Sequence, residues 1–162
     1  MKTFRVIVLS DSHGAFGDLY DVILKHKDNA HCFIHLGDGY KEVDELKAFF
    51  PDIKLYFVRG NCDFSAIDSP FTDTLFIGGK KIIFTHGHLY HVKYSLSELT
   101  SFAHQNHADI ILYGHTHLKC QFYEDNLYVM NPGSLGHPRE GRKSYGIIDI
   151  SDAGILMNIV DI

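Results

Sequence analysis

Cysteine is scarce and positive charge is in deficit. Three cysteines, Cys32, Cys62 and Cys120, stand among 162 residues. Their number is odd and their spacing forms neither a CxxC pair nor a zinc ribbon. A disulfide framework is thereby excluded, and the thiols read as reduced, in a cytoplasmic protein. Fifteen lysines and arginines against 20 aspartates and glutamates leave a net charge of −5. Such a surface does not grip nucleic acid by bulk charge, although a local cationic site remains open. Long apolar runs are missing too. None approaches the ~20 residues that cross a bilayer. The apolar part of the opening MKTFRVIVLSDSH, Val6 to Leu9, is shorter than the roughly 7–15 residues of an export signal, and no small-residue cleavage pattern follows. Neither membrane insertion nor export is expected. Repeats, low-complexity stretches and linkers are also absent, so a single domain over 1–162 is expected, large enough to bury a substantial core.

Histidine, by contrast, is plentiful, with 12 residues. Their meaning depends on the elements that carry them. Apolar runs at Phe4–Leu9, Cys32–Leu36 and Leu55–Val58 read as strands. They alternate with amphipathic helices over Asp18–Lys27 and Val43–Phe50, the pattern of parallel βαβ units. Thr74–Ile77 and Lys80–Phe84 flank Gly78-Gly79, a hairpin signal. Ser95-Leu96-Ser97-Glu98 has the form of a capping box opening a helix to about His107. Asp109–Tyr113 is a further buried strand. Gln121–Tyr123 with Leu127–Met130, and Ser144–Ile150 with Ile155–Ile162, read as antiparallel pairs. The expectation is an α/β fold with two mixed sheets and helices outside them.

Five apolar runs end in polar punctuation of one kind: Asp11-Ser12-His13, Gly37-Asp38, Gly60-Asn61, His86-Gly87-His88 and Gly114-His115-Thr116-His117. Ligands of open α/β sheets bind beyond the carboxyl ends of strands. Imidazole, carboxylate and amide oxygen together suit a divalent metal. In extended backbone, residues i and i+2 point the same way, which would aim Asp11 with His13, and His115 with His117, at one place. Seven candidate ligands (Asp11, His13, Asp38, Asn61, His86, His115 and His117) exceed one tetrahedral zinc. They suit two ions about 3.5–4 Å apart that share a carboxylate and serve in-line displacement at phosphorus. The other histidines read otherwise. His26, His104 and His107 are expected on the surface, His31 in a loop and His35 in the core. His91 is unassigned, and His88 is open between structure and substrate contact.

As a set, Asp11-x-His13, Gly37-Asp38, Gly60-Asn61, His86-Gly87 and Gly114-His115-x-His117 resemble the calcineurin-like metallophosphoesterase superfamily. Gly60-Asn61-Cys62-Asp63 and Asn131-Pro132-Gly133-Ser134 are most similar to its small prokaryotic phosphodiesterases. The resemblance implies a four-layer αββα sandwich and a binuclear centre, with manganese the first choice and iron, zinc or nickel the alternatives. Asp11, His13, Asp38 and His117 would hold one ion. Asp38 would bridge to a second, completed by Asn61, His86 and His115. A bridging hydroxide would attack phosphorus, and Asn61 could also contact the phosphate. Many relatives carry a histidine acid after this asparagine. Here Cys62 stands in its place and reads mainly as a small packed residue, leaving His88, Cys62 or His137 as candidate acids. A thiol is mostly protonated near pH 7 but is a weaker hydrogen-bonding group than imidazole. A modest enzyme is therefore implied, preferring small phosphodiester or nucleotide-like substrates over monoesters. The basic loop Gly136–Lys143, with Arg139, Arg142 and Lys143, is either solvated or an edge of the phosphate site. A non-catalytic scaffold on the same fold, as in a retromer coat subunit, is the competing class. It is disfavoured because every ligand position is filled. A protein phosphatase ranks lower, and self-association is left open.

Overall fold

The computed structural model describes residues 2–162. Its strands are β1 (Phe4–Leu9), β2 (Cys32–His35), β3 (Leu55–Phe57), β4 (Thr72–Ile77), β5 (Lys80–Thr85), β6 (Ile110–Leu112), β7 (Lys119–Glu124), β8 (Leu127–Pro132), β9 (Ser144–Ser151) and β10 (Gly154–Asp161). Three α-helices, α1 (Phe16–His26), α2 (Tyr40–Phe49) and α3 (Ser97–Gln105), and a short 3₁₀ turn at His88–Tyr90 lie between them. The strands form two five-stranded sheets, ordered β10-β9-β1-β2-β3 and β4-β5-β6-β8-β7. In the first, β1, β2 and β3 run parallel and β9 joins β1 antiparallel. In the second, β5, β6 and β8 run parallel, with antiparallel β4 and β7 at the edges.

The layering follows from strands that are apolar on both faces. Along β1, Val6 and Val8 face the second sheet, in a cluster with Ile34, Ile82, Phe84, Ile110, Leu112 and Met130. The alternate residues Ile7 and Leu9 meet Leu19, Val22 and Ile23 of α1 and Val43 and Leu46 of α2. The second sheet repeats the arrangement, with Ile83, Ile111 and Val129 turned toward Leu99 and Ala103 of α3. This alternation with period two produces helices, sheet, sheet and helix in four layers, a mixed α/β sandwich as the residue pattern implies. The β4–β5 hairpin turns through Gly78 and Gly79 with φ of 56° and 75°, the left-handed pair that a two-residue turn requires.

Three local expectations need correction. α1 and α2 begin earlier than their apolar stripes, at Phe16 and Tyr40. The first turn of α2 carries Lys41 and Glu42, so its apolar periodicity starts only at Val43. The capping box does not form. Leu96 occupies the N-cap position without a side-chain cap bond, Ser95 Oγ accepts from the Ser97 N–H, and Glu98 pairs with His91 instead of reaching back. His26 is not on the surface. It is 5% exposed, and its Nε2 lies 2.9 Å from the Tyr145 hydroxyl, because position 26 continues the Leu19–Ile23 stripe inward. His104, His107 and His31 are exposed and His35 is fully buried.

The inter-sheet layer sets the stability. Phe84 is fully buried and its ring meets Tyr56 edge-on at a centroid distance of 6.5 Å. Phe84→Ala is expected to lower the unfolding free energy by about 3–5 kcal/mol. Phe76→Ala, at a side chain 74% exposed, should change it by less than about 0.5 kcal/mol. Urea denaturation of the two variants checks this contrast.

Candidate metal centre

All five polar punctuation sites converge beyond the ends of β1, β2, β3, β5 and β6. They do so by a route that differs from the extended-strand argument. β1 stops at Leu9 and β6 at Leu112, so the polar residues lie in loops. Asp11, His13, Asp38, His115 and His117 all have positive φ, between 41° and 67°. Left-handed backbone costs a non-glycine residue about 1–2 kcal/mol, and such strain concentrates at functional sites. The i, i+2 rule therefore pairs Asp11 with His13 correctly but for the wrong conformation, and it fails for His115 and His117, which join different groups.

The two carboxylates are built alike. Asp11 Oδ2 accepts the Ser10 hydroxyl and the His115 N–H, while Oδ1 is buried and has no hydrogen-bond partner. Asp38 Oδ1 accepts the Cys62 N–H at 2.7 Å, and Oδ2 faces inward, 3.3 Å from His86 Nε2 and 3.7 Å from His13 Nε2. Two imidazoles are oriented just as firmly. His86 Nδ1–H donates to the Leu36 carbonyl at 2.7 Å, and His117 Nδ1–H donates to the His137 carbonyl at 2.6 Å. In the neutral rings both Nε2 atoms are then lone pairs, which explains why Asp11 Oδ1 has no donor although His117 Nε2 is 3.1 Å away. Asn61 Oδ1 adds a further acceptor 3.1 Å from His86 Nε2. Five lone-pair atoms thus face one another. Only His13 Nε2, 3.2 Å from His117 Nε2, and His115 Nδ1, 3.2 Å from His86 Nε2, are free to present a proton. Buried acceptors without donors are costly, and a cation relieves them. Two groups meet the geometry of ion ligands, Asp11 with His13 and His117, and Asp38 with His86 and His115. A third set, His13, Asp38 and Cys62, overlaps them.

Titration follows the same geometry. Asp11 lies well below the usual carboxylate range: burial opposes its charge, but the adjacent His117, His13 and His86 imidazoles outweigh it. The adjacent Asp11 carboxylate raises His13. Burial works against a charged His86, yet the facing Asp38 and Asp11 carboxylates raise it. Burial and the neighbouring His86 lower His115 to about 4. Cys62 is exposed and not the packed residue expected, and partial desolvation with the Asp38 charge pushes its thiol up to about 11.

The shell around the cluster contains groups that motif reading passed over. Asp63, the last residue of Gly60-Asn61-Cys62-Asp63, accepts N–H bonds from Asp38, Gly39, Tyr40 and Gly60. It thereby ties the loop after β2 to the loop after β3. Ser134 Oγ donates to the Asp11 carbonyl, and Asn131 holds Gly114 and Thr116. The basic loop touches the site through its backbone, since the Arg139 N–H donates to the His117 carbonyl at 3.2 Å. Its charges are unlike: Lys143 is paired with Asp18, while Arg139 and Arg142 are exposed. His137 sits 5.5 Å from His13 between ring centroids. His88 packs 5.3 Å from His86 and 5.7 Å from Phe71. His35 is held in one tautomer, with Nδ1 accepting the Gly37 N–H and Nε2 therefore donating to Ser12 Oγ.

A sandwich carrying such a cluster at its strand ends defines a phosphoesterase class. The chain belongs to the calcineurin-like phosphoesterase superfamily, whose domain model matches residues 4–153. It is 33% identical over 161 residues to the probable metallophosphoesterase YsnB of Bacillus subtilis, covering 97% of this chain and 90% of that protein. It is 33% identical over 105 residues to the phosphodiesterase YfcE of Escherichia coli, covering 59% and 53% respectively. A conserved Streptococcus pneumoniae protein, a predicted phosphoesterase, superposes with a TM-score of 0.87 at 30% identity over 99% of this chain and 91% of that one. Vacuolar protein sorting 29 of Cryptosporidium parvum shares the fold, with a TM-score of 0.75 at 16% identity over 99% and 98%. The family is metal-dependent, and the acceptor cluster fits that chemistry.

Two measurements follow. A Cβ at Gly60 would run into Asp38 Oδ1, so Gly60→Ala should displace that carboxylate and lower bound metal at least about tenfold, by elemental analysis after dialysis. Burial holds His35 near 4, below the ordinary value of about 6.5. The unfolded chain takes up this proton first, so stability falls as pH drops from about 6.5 toward 4, by about 3 kcal/mol from this group. Imidazole nitrogen shifts should show a neutral His35 at pH 5; a midpoint above 6 would contradict this.

Proposed function

We propose that this chain is a phosphodiesterase acting with two divalent cations on small phosphodiester or nucleotide-like substrates in the cytoplasm. The observation that carries the reading is the inward-facing acceptor set, too large for one ion. Asp11, His13, Asp38 and His117 would hold one cation, and Asp38, Asn61, His86 and His115 would hold the other. Nitrogen and oxygen donors without thiolate suit manganese, with iron, zinc and nickel as alternatives. Bound cations supply Lewis acidity, lowering the pKa of water and offsetting charge on phosphoryl oxygens.

The chain's own groups then shape the reaction. Asp63 and Gly60 bring the Asp38 loop and the Asn61 loop close together, and Asn61 is exposed, free to meet the phosphate as well as a cation. Cys62 keeps its proton at neutral pH, but a thiol held near 11 releases it poorly to a leaving oxygen. Efficient general acid catalysis wants a pKa near the operating pH. Esters with a leaving group that needs little protonation are therefore preferred. His88 is lowered from its ordinary value by burial and by the His86 charge, and packs beside the cluster.

With manganese added, bis(p-nitrophenyl) phosphate should be hydrolysed faster than p-nitrophenyl phosphate. Inactivity on both with metal bound would remove the enzymatic reading, and a reversed preference would remove only the diesterase part. Asp38→Asn and His86→Ala should abolish turnover and lower metal content, Asp38→Asn more severely. Cys62→Ser should stay within about tenfold of the native rate, because a working acid contributes about 10²–10⁴-fold. A loss in that range would restore the thiol to the chemistry.

A further inference from the structure

The chain has four arginines, and they are not equivalent. Arg5 makes a bidentate ion pair with Asp149. Arg59 has no carboxylate partner among the described residues, although it is half-buried in a protein of net charge −5. Its position is fixed by the strand ends. Its N–H donates to the Pro70 carbonyl at 2.7 Å, bringing the end of the 59–70 loop alongside. The next carbonyl, Phe71, accepts the Thr85 hydroxyl at 2.8 Å, directly before His86. The guanidinium lies over the Phe71 ring, 5.3 Å from its centroid. Phe71 packs on His88, and His88 lies 5.3 Å from His86 and 6.0 Å from His115. A guanidinium over an aromatic ring is held by the ring's π face and leaves its N–H groups for an anion. That fork donates to no protein acceptor among the described residues, and phosphate is the partner its geometry matches. Phe71 is itself 41% exposed, so the edge is reachable from solvent.

We propose that Arg59, seated on Phe71 with His88 between that ring and the acceptor cluster, is a specificity-determining residue that receives a second phosphate of the substrate. The enzyme's substrates are then phosphodiesters carrying an additional phosphate, such as a short oligonucleotide with a phosphorylated end. This inference rests on the diesterase reading for turnover, but not for binding. The pair of probes is adenylyl-adenosine with and without a 5′-terminal phosphate. Equilibrium binding to the protein without added metal should favour the phosphorylated form by about tenfold, the scale of one charge-assisted bidentate contact. The kcat/KM ratio with manganese should favour it similarly, mainly through KM. Arg59→Gln should bring both ratios close to one, and Arg59→Lys should restore part of the preference if the glutamine variant folds poorly. Equal affinity for the two probes in the native protein, or an unchanged ratio in Arg59→Gln, overturns the proposal. A parallel loss on both probes also overturns it, because the residue would then be merely structural. Selective binding without hydrolysis of either probe would support Arg59 while removing the diesterase reading.

Discussion

Lone pairs pointing at one another are the constraint around which this molecule is arranged. Asp11 Oδ1, Asp38 Oδ2 and the Nε2 atoms of His86 and His117 are aimed inward because the other heteroatom of each side chain is already engaged elsewhere. No rearrangement of protons on those four groups, short of charging the rings, supplies a donor between them. A site of this kind repels itself unless a cation fills it, and the repulsion is held in place by the fold. Five residues of the cluster adopt positive φ, and glycine is required where loops press on the carboxylates. A side chain at Gly114 would run into Ser10 and come within 2.7 Å of Asp11 Oδ2. Metal binding in such a protein is coupled to protonation, since His13 and His86 are raised from their ordinary values by the facing carboxylates and protons compete with a cation for the same nitrogens.

What keeps the cluster from spreading is a second set of groups that bind its loops from behind. Asp63 gathers four backbone N–H groups from two loops. Ser134 reaches from the segment after β8 to the Asp11 carbonyl. His35, fixed in one tautomer, locks Ser12 to Gly37. The two sheets supply the rigidity behind these contacts. β1, β2, β5 and β6 are buried on both faces, so the loops leaving them start from fixed points. Preorganised ligands on rigid elements are what separates a metal site from a chance group of polar residues.

Much of this was legible in the residues, and the reason is physical. Val6–Leu9, Ile82–Phe84 and Ile110–Leu112 are continuous apolar runs because both their faces are covered, and Gly78-Gly79 marks its turn directly. The positions at the site were legible as punctuation after those runs. Their conformation was not, because a pattern of residue types does not reveal left-handed backbone. The start of α2 was hidden by its polar first turn, and the capping box at Ser95 does not form, Glu98 pairing with the nearby His91 instead. His26 continues an apolar stripe inward, and the Tyr145 hydroxyl and the Asn29 side-chain oxygen account for a polar ring there. The role of Asp63 was beyond sequence reading, because the four N–H groups it binds come from loops brought together only by folding. Likewise, nothing in GHPREGRK says that its backbone would meet His117 at two points.

The central claim is that the acceptor cluster exists to hold two cations with Asp38 between them. Anomalous diffraction from crystals grown with manganese tests it most directly. Two peaks about 3.5–4 Å apart, with Asp38 in contact with both, are the result this account requires. A fully ordered cluster with no peak, or with a single peak away from Asp38, would contradict it.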